Sequence, residues 1–92
     1  MVMPLQTAQY TIGTAAVEIL SPKSNPIQVL LHNADKSSNE YIWFGGSSAV
    51  TTSTGLHLDN GEDYQFVVQP GNSLWAIADD ASHALHVMWQ EL

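Results

Sequence analysis

The sequence predicts an all-β chain: a single β-sandwich, jelly-roll-like, of about seven or eight short antiparallel strands. Three observations predict it. Clusters of turn-forming residues recur along the chain at Ser21–Pro26, Asn33–Asn39, Gly45–Ser48, Asp59–Gly61, Pro70–Asn72 and Asp79–Ser82. These are residues that tolerate positive φ or bond their own backbone. The segments between them are short and rich in Val, Ile, Thr, Trp, Tyr and Phe, the side chains that suit a pleated surface. Within several of them apolar residues alternate with period two, which gives a strand one buried face. At 92 residues the chain has the length of one domain.

Taken in order, Met1-Val2-Met3-Pro4-Leu5 is apolar, and Pro4 discourages entry into a central strand. Residues 1–10 are therefore expected to form an N-terminal arm, with residues 11–92 as the sandwich. The arm's expected contacts with a capsid or a neighbouring subunit are Met1, Val2, Met3, Leu5 and Tyr10. A first strand is predicted near Thr14–Leu20. The next is Ile27–His32, with Ile27, Val29 and Leu31 on one face. Tyr41–Phe44 is apolar on both faces, as expected of a strand covered on both sides. Val50–Thr54 is a β-branched run, predicted as an edge or half-exposed strand. Tyr64–Gln69 follows the Asp59-Asn60-Gly61 turn, with Tyr64, Phe66 and Val68 together. Leu74–Ile77 and Leu85–Trp89 close the series. From Leu74 onward apolar residues also fall at helical spacing, with Asp79 or Asp80 available as a cap. The turn cluster at Asp79–Ser82 favours strands, and residues 80–91 stay open between strand and helix.

Composition excludes several functions. The chain has two lysines, no arginine and nine acidic residues, a formal charge of −7. Two isolated lysines cannot neutralise a run of phosphates, so nucleic acid and anionic membrane surfaces are excluded as partners. No segment reaches the roughly 18 apolar residues of a membrane span. The first residues lack a basic region followed by an apolar run, so no secretory signal is expected. Cysteine is absent, leaving the core to hold the fold without disulfides. Only 12% of residues are charged, about half the usual share, which favours a surface partly covered by neighbours.

No residue set points to catalysis, a cofactor or a metal, and the chain is not expected to be an enzyme. No serine lies in a Gly-x-Ser-x-Gly elbow, and no lysine follows the glycines at Gly45-Gly46 as a phosphate loop requires. On a strand, His83 and His86 point to opposite faces and cannot share a metal. His32 and His57 fall on other strands, and all four are read as surface or hydrogen-bonded structural histidines. Asp59-Asn60-Gly61-Glu62-Asp63 lacks the full ligand set of a calcium loop and reads as a turn. Trp43, Trp75 and Trp89 are expected in the core or at a subunit interface, ahead of a sugar-stacking role.

From Ile27 onward the chain resembles a recurring small β-domain of tailed-bacteriophage virion proteins. The matching features run in order: Val29–Asn33; Tyr41-Ile42-Trp43-Phe44-Gly45-Gly46; Val50–Gly55; Leu58; Gly61-Glu62; and Leu74-Trp75-Ala76-Ile77-Ala78. With Trp89, the residues Trp43, Phe44, Gly45, Gly46, Gly55, Gly61 and Trp75 are the expected fold-defining positions. Such domains serve as capsid decoration (head-stabilising) proteins and as head-fibre or tail components. The resemblance implies a cement protein on the capsid exterior, assembled in the host cytoplasm. Its implied partners are the major capsid protein and itself, as a homotrimer. A tail or head-fibre component and a carbohydrate-binding module are the alternative functions.

Overall fold

Period-two alternation carries the apolar residues into the space between two sheets. The computed structural model describes residues 4–35 and 41–92. Its strands are β1 (Gln6–Ile12), β2 (Val17–Leu20), β3 (Ile27–Asn33), β4 (Ile42–Gly45), β5 (Leu56–Leu58), β6 (Asp63–Val68), β7 (Leu74–Ala78) and β8 (His83–Glu91). No helix forms among the described residues. Sheet I has the order β1-β8-β3-β6 and sheet II the order β2-β7-β4-β5, with antiparallel neighbours throughout. Every connection except β4 to β5 passes from one sheet to the other, which is the winding of an eight-stranded jelly roll. The all-β, jelly-roll-like sandwich read from the sequence is the fold of the chain.

The core lies between the sheets. Ile12, Ile27, Val29, Leu31, Leu85 and Val87 of sheet I meet Ile19, Ile42, Phe44, Leu58, Leu74 and Ala76 of sheet II. Each larger aliphatic or aromatic side chain so buried contributes about 1.5–3 kcal/mol. Two polar groups tie the layers together. The Tyr10 hydroxyl in β1 donates to the Ile19 carbonyl in β2 at 3.1 Å. The buried Asn33 amide in β3 donates to the Leu58 carbonyl in β5 at 3.0 Å.

Three expectations are corrected, and one open choice is decided. Gln6–Tyr10, assigned to a free arm, lie in β1 and pair with β8 from Gln6↔Trp89 to Ile12↔His83. The cause is visible in the alternation, because Ala8, Tyr10 and Ile12 point inward; Met1–Met3 lie outside the described residues. Val50–Thr54 is not a strand. Thr51 Oγ1 accepts from Ser53 N at 3.2 Å, and Thr54 Oγ1 accepts from Thr51 N at 3.1 Å. The hydroxyls thus give the backbone partners that a ladder would otherwise supply. The first strand of sheet II starts at Val17 rather than near Thr14. The open choice at residues 80–91 falls to the favoured strand, β8, with Asp79–Ser82 forming the bend between β7 and β8 and Ser82 at φ 68°.

Candidate interaction surface

Strand parity decides what each sheet presents outward. On sheet I the exposed face is built of cross-strand rows. Thr7, Met88, Leu30 and Gln65 form one, and Gln9, His86, His32 and Asp63 the next. Gln90, Gln28 and Val67 form a third. Asp63 is the one charged residue of these rows, although the chain carries nine acidic residues. Met88 and Val67 stand 41% and 43% exposed. A shallow hollow of about 530 Å³ runs over Thr7, Leu30, His32, His86 and Met88. His32 and His86 face each other across β3 and β8, with ring centroids 6.3 Å apart.

Sheet II presents a different surface. Outward residues of β4, β5 and β7 are Trp43, His57, Trp75 and Ile77, with Trp43 paired to both His57 and Ile77. Tyr41, Trp43 and His57 form a ring cluster with centroid separations of 5.7–6.0 Å. The Trp75 indole donates to Ser73 Oγ at 3.0 Å, and Ser73 Oγ donates to the Gly46 carbonyl at 3.0 Å. Beside this surface the loop after β4 folds back, so that buried Val50 occupies the space over Gly45. A Cβ on Gly45 would stand 2.7 Å from Val50 Cγ2. One on Gly55 would stand 2.9 Å from Trp43 Cβ.

These placements revise the aromatic expectations. Trp43 and Trp75 are half-buried on the outside of sheet II, while Ile42 and Phe44 point inward. Trp89 is the tryptophan that packs against the core, with Lys23 Nζ 6.0 Å from its ring centroid. Gly61 takes φ +80° and donates its N–H to the Asn33 carbonyl at 2.8 Å, a conformation that favours glycine. Gly46 has open space around its Cα, so its fold-defining role is not steric. Of the expected arm contacts, Leu5 is 59% exposed, whereas Tyr10 is held by its bond to Ile19.

The titratable groups serve the fold. His83 is 1% exposed, and its Nδ1 lies 2.9 Å from Asp35 Oδ2. Asp35 Oδ1 accepts from Ala84 N at 2.8 Å. The pair therefore fixes the chain leaving β3 onto the start of β8. His86 is exposed on the opposite face, as the odd spacing requires. In the acidic turn, Glu62 Oε1 accepts from Asp59 N at 2.6 Å and Asp59 Oδ1 lies 3.2 Å from His57 Nε2. That is the turn geometry read from the sequence. An apolar cleft of about 400 Å³ opens between β6 and β5, lined by Phe44, Leu56, Leu58, Tyr64, Phe66 and Leu74.

No family model matches the chain, and a search of curated proteins finds no match. Among solved structures it is similar to a chain of the disulfide-linked pili of Bacillus endospore appendages. That match has TM-score 0.63 and 13% identity over 99% of this chain and 88% of that one. An RmlC-like cupin from Shewanella frigidimarina NCIMB 400 matches with TM-score 0.55 and 10% identity over 96% of this chain and 67% of the cupin. A de novo designed double-stranded β-helix matches with TM-score 0.53 and 13% identity, covering 95% of this chain and 99% of the design. At these identities the likeness is one of fold: the chain is a jelly roll of the double-stranded β-helix kind.

Proposed function

We propose that this chain is a structural protein of a phage particle, a decoration protein that binds the outside of the head through the outer face of sheet I. The observation that supports the reading is the single charge on that face. Depletion of charge around an apolar centre is the compositional mark of a protein interface core, and here Leu30, Met88 and Val67 supply the apolar surface. The remaining acidic residues would keep decorated particles apart. Many identical copies bridging adjacent capsid subunits would stabilise the shell by multivalency, because parting two subunits breaks every bridge along their seam. The spore-appendage pili are disulfide-linked, and this cysteine-free chain has no means to copy that linkage.

The test is the copy number of the chain in purified particles, measured by quantitative mass spectrometry against the major capsid protein. Decoration predicts comparable stoichiometry. It also predicts that Met88→Lys leaves the fold intact and lowers occupancy by about tenfold or more, the scale of one lost central contact. A few copies per particle would place the chain in a tail or fibre instead. Absence from particles, with tryptophan fluorescence that responds to soluble glycans, would favour sugar binding at Tyr41, Trp43 and His57.

A further inference from the structure

The four edge strands of the sandwich are protected unequally. An open edge displays unpaired N–H and C=O groups, and proteins blunt such edges with short strands, charges, prolines or bulges. In sheet II, β2 has four residues, an exposed Glu18 and a register shift between Glu18 and Leu20. The opposite edge, β5, has three residues. In sheet I, β6 begins at Asp63 directly after Glu62, and Pro70 follows two residues beyond its end. Within the other edge strand of sheet I none of these devices occurs, although Pro4 stands two residues before it. β1 is seven residues long, Gln-Thr-Ala-Gln-Tyr-Thr-Ile, with no charge, proline, glycine or register shift. Among the described residues, no backbone hydrogen bond outside the ladders reaches Gln6–Ile12.

We infer that β1 pairs with β1 of a second copy, antiparallel across a two-fold axis at Gln9, joining two sheets I into one continuous eight-stranded sheet. Three observations select a second copy as the occupant. The strand is complementary to itself. With the axis at Gln9, Gln9 faces the partner's Gln9 and Thr7 faces the partner's Thr11 on the outer side. On the inner side Ala8 faces the partner's Tyr10. Thr–Thr pairs of this kind are favourable cross-strand neighbours. The second observation is electrostatic. Two chains of charge −7 repel, and of the four edges only β1 and the three-residue β5 can pair with a copy without a carboxylate in the strand. The third is continuity. Pairing at β1 would extend the sparsely charged rows of sheet I across both copies, with Met88 next to the joint at the Thr7 position. The association is a closed, isologous dimer, in place of the trimer implied by the resemblance. It stands on the edge itself and is independent of any role in a particle.

Because the chain has no cysteine, one introduced thiol reports the axis directly. Residues facing each other across antiparallel strands have Cα atoms about 4.5–5.5 Å apart, within the span of a disulfide. Gln9→Cys is expected to form a disulfide-linked dimer rapidly on mild oxidation. Gln65→Cys, on the outer face of β6, is expected to form no intermolecular disulfide under the same conditions. In sedimentation of the unmodified chain the expected species is a dimer. Gln9→Lys sets two like charges face to face and is expected to weaken it by about tenfold or more. A chain that sediments as a monomer at its highest soluble concentration overturns the inference, as does a trimer. So does a dimer indifferent to Gln9→Lys, or equal cross-linking at positions 9 and 65.

Discussion

Trp43 and Phe44 are neighbours in sequence with opposite surroundings, and their contrast is the sharpest stability prediction at the residue scale. Phe44 is buried in the core and lines the cleft with Leu31, Leu58 and Leu74, whereas Trp43 lies on the outer face against Tyr41 and His57. Phe44→Ala is expected to lower stability by about 3–5 kcal/mol, the range for a core aromatic. Trp43→Ala loses partial burial and ring contacts, for about 1–2 kcal/mol. Urea denaturation of both variants checks the order, and a larger loss at Trp43 would mean that its surface is covered. Size and hydrophobicity suggested core for both residues, but parity assigns them to opposite faces. Inward Ile42 could have settled the parity from sequence, had the strand been known to have only one core side. The Asp35–His83 pair was not legible at all. Its partners are 48 residues apart, and nothing local to either one signals the other.

At the scale of elements, period two was a dependable guide wherever a strand had one wet face. β3, β6, β7 and the centre of β8 fall where alternation placed them. Two segments escaped it. Gln6–Tyr10 fell within the expected arm because Met1–Leu5 is apolar and Pro4 discourages a central strand, whereas β1 is an edge strand whose outward face carries Thr and Gln. Val50–Thr54 looked like a strand because it is β-branched, yet its hydroxyls close turns on their own backbone. What fixes that loop is the absence of a side chain at Gly45, which leaves the socket for Val50. Gly45→Ala would bring a methyl to 2.7 Å from Val50 Cγ2 and 2.8 Å from Val50 Cβ, and the loop would have to lift. The expected loss is about 1–3 kcal/mol, as for other overpacked sites. Gly46→Ala, with no atom within 4 Å of the added group, is expected to be nearly neutral. Thermal melts of the two variants separate a steric role from a generic turn role, because a turn requirement would penalise both.

For the whole molecule, the winding leaves no half that can stand alone. β8, the last of the eight strands in sequence, sits between β1 and β3 in sheet I, so that sheet is incomplete without it. The crossings between sheets, together with the Tyr10–Ile19 and Asn33–Leu58 bonds, give both layers one core. Opening either sheet would bare the apolar face of the other. The three tryptophans test this, since Trp89 reports sheet I while Trp43 and Trp75 report sheet II. In variants retaining Trp89 alone or Trp75 alone, with phenylalanine at the other positions, fluorescence and far-UV circular dichroism are expected to give coincident urea transitions. That is the signature of one cooperative unit. A fluorescence transition that precedes the dichroism in one variant and not the other would show that the sheets part separately. Stability would then reside in each layer, and a partner seated on sheet I would protect only half of the molecule. If the transitions coincide, any partner bound to sheet I stabilises the entire chain by mass action, sheet II included.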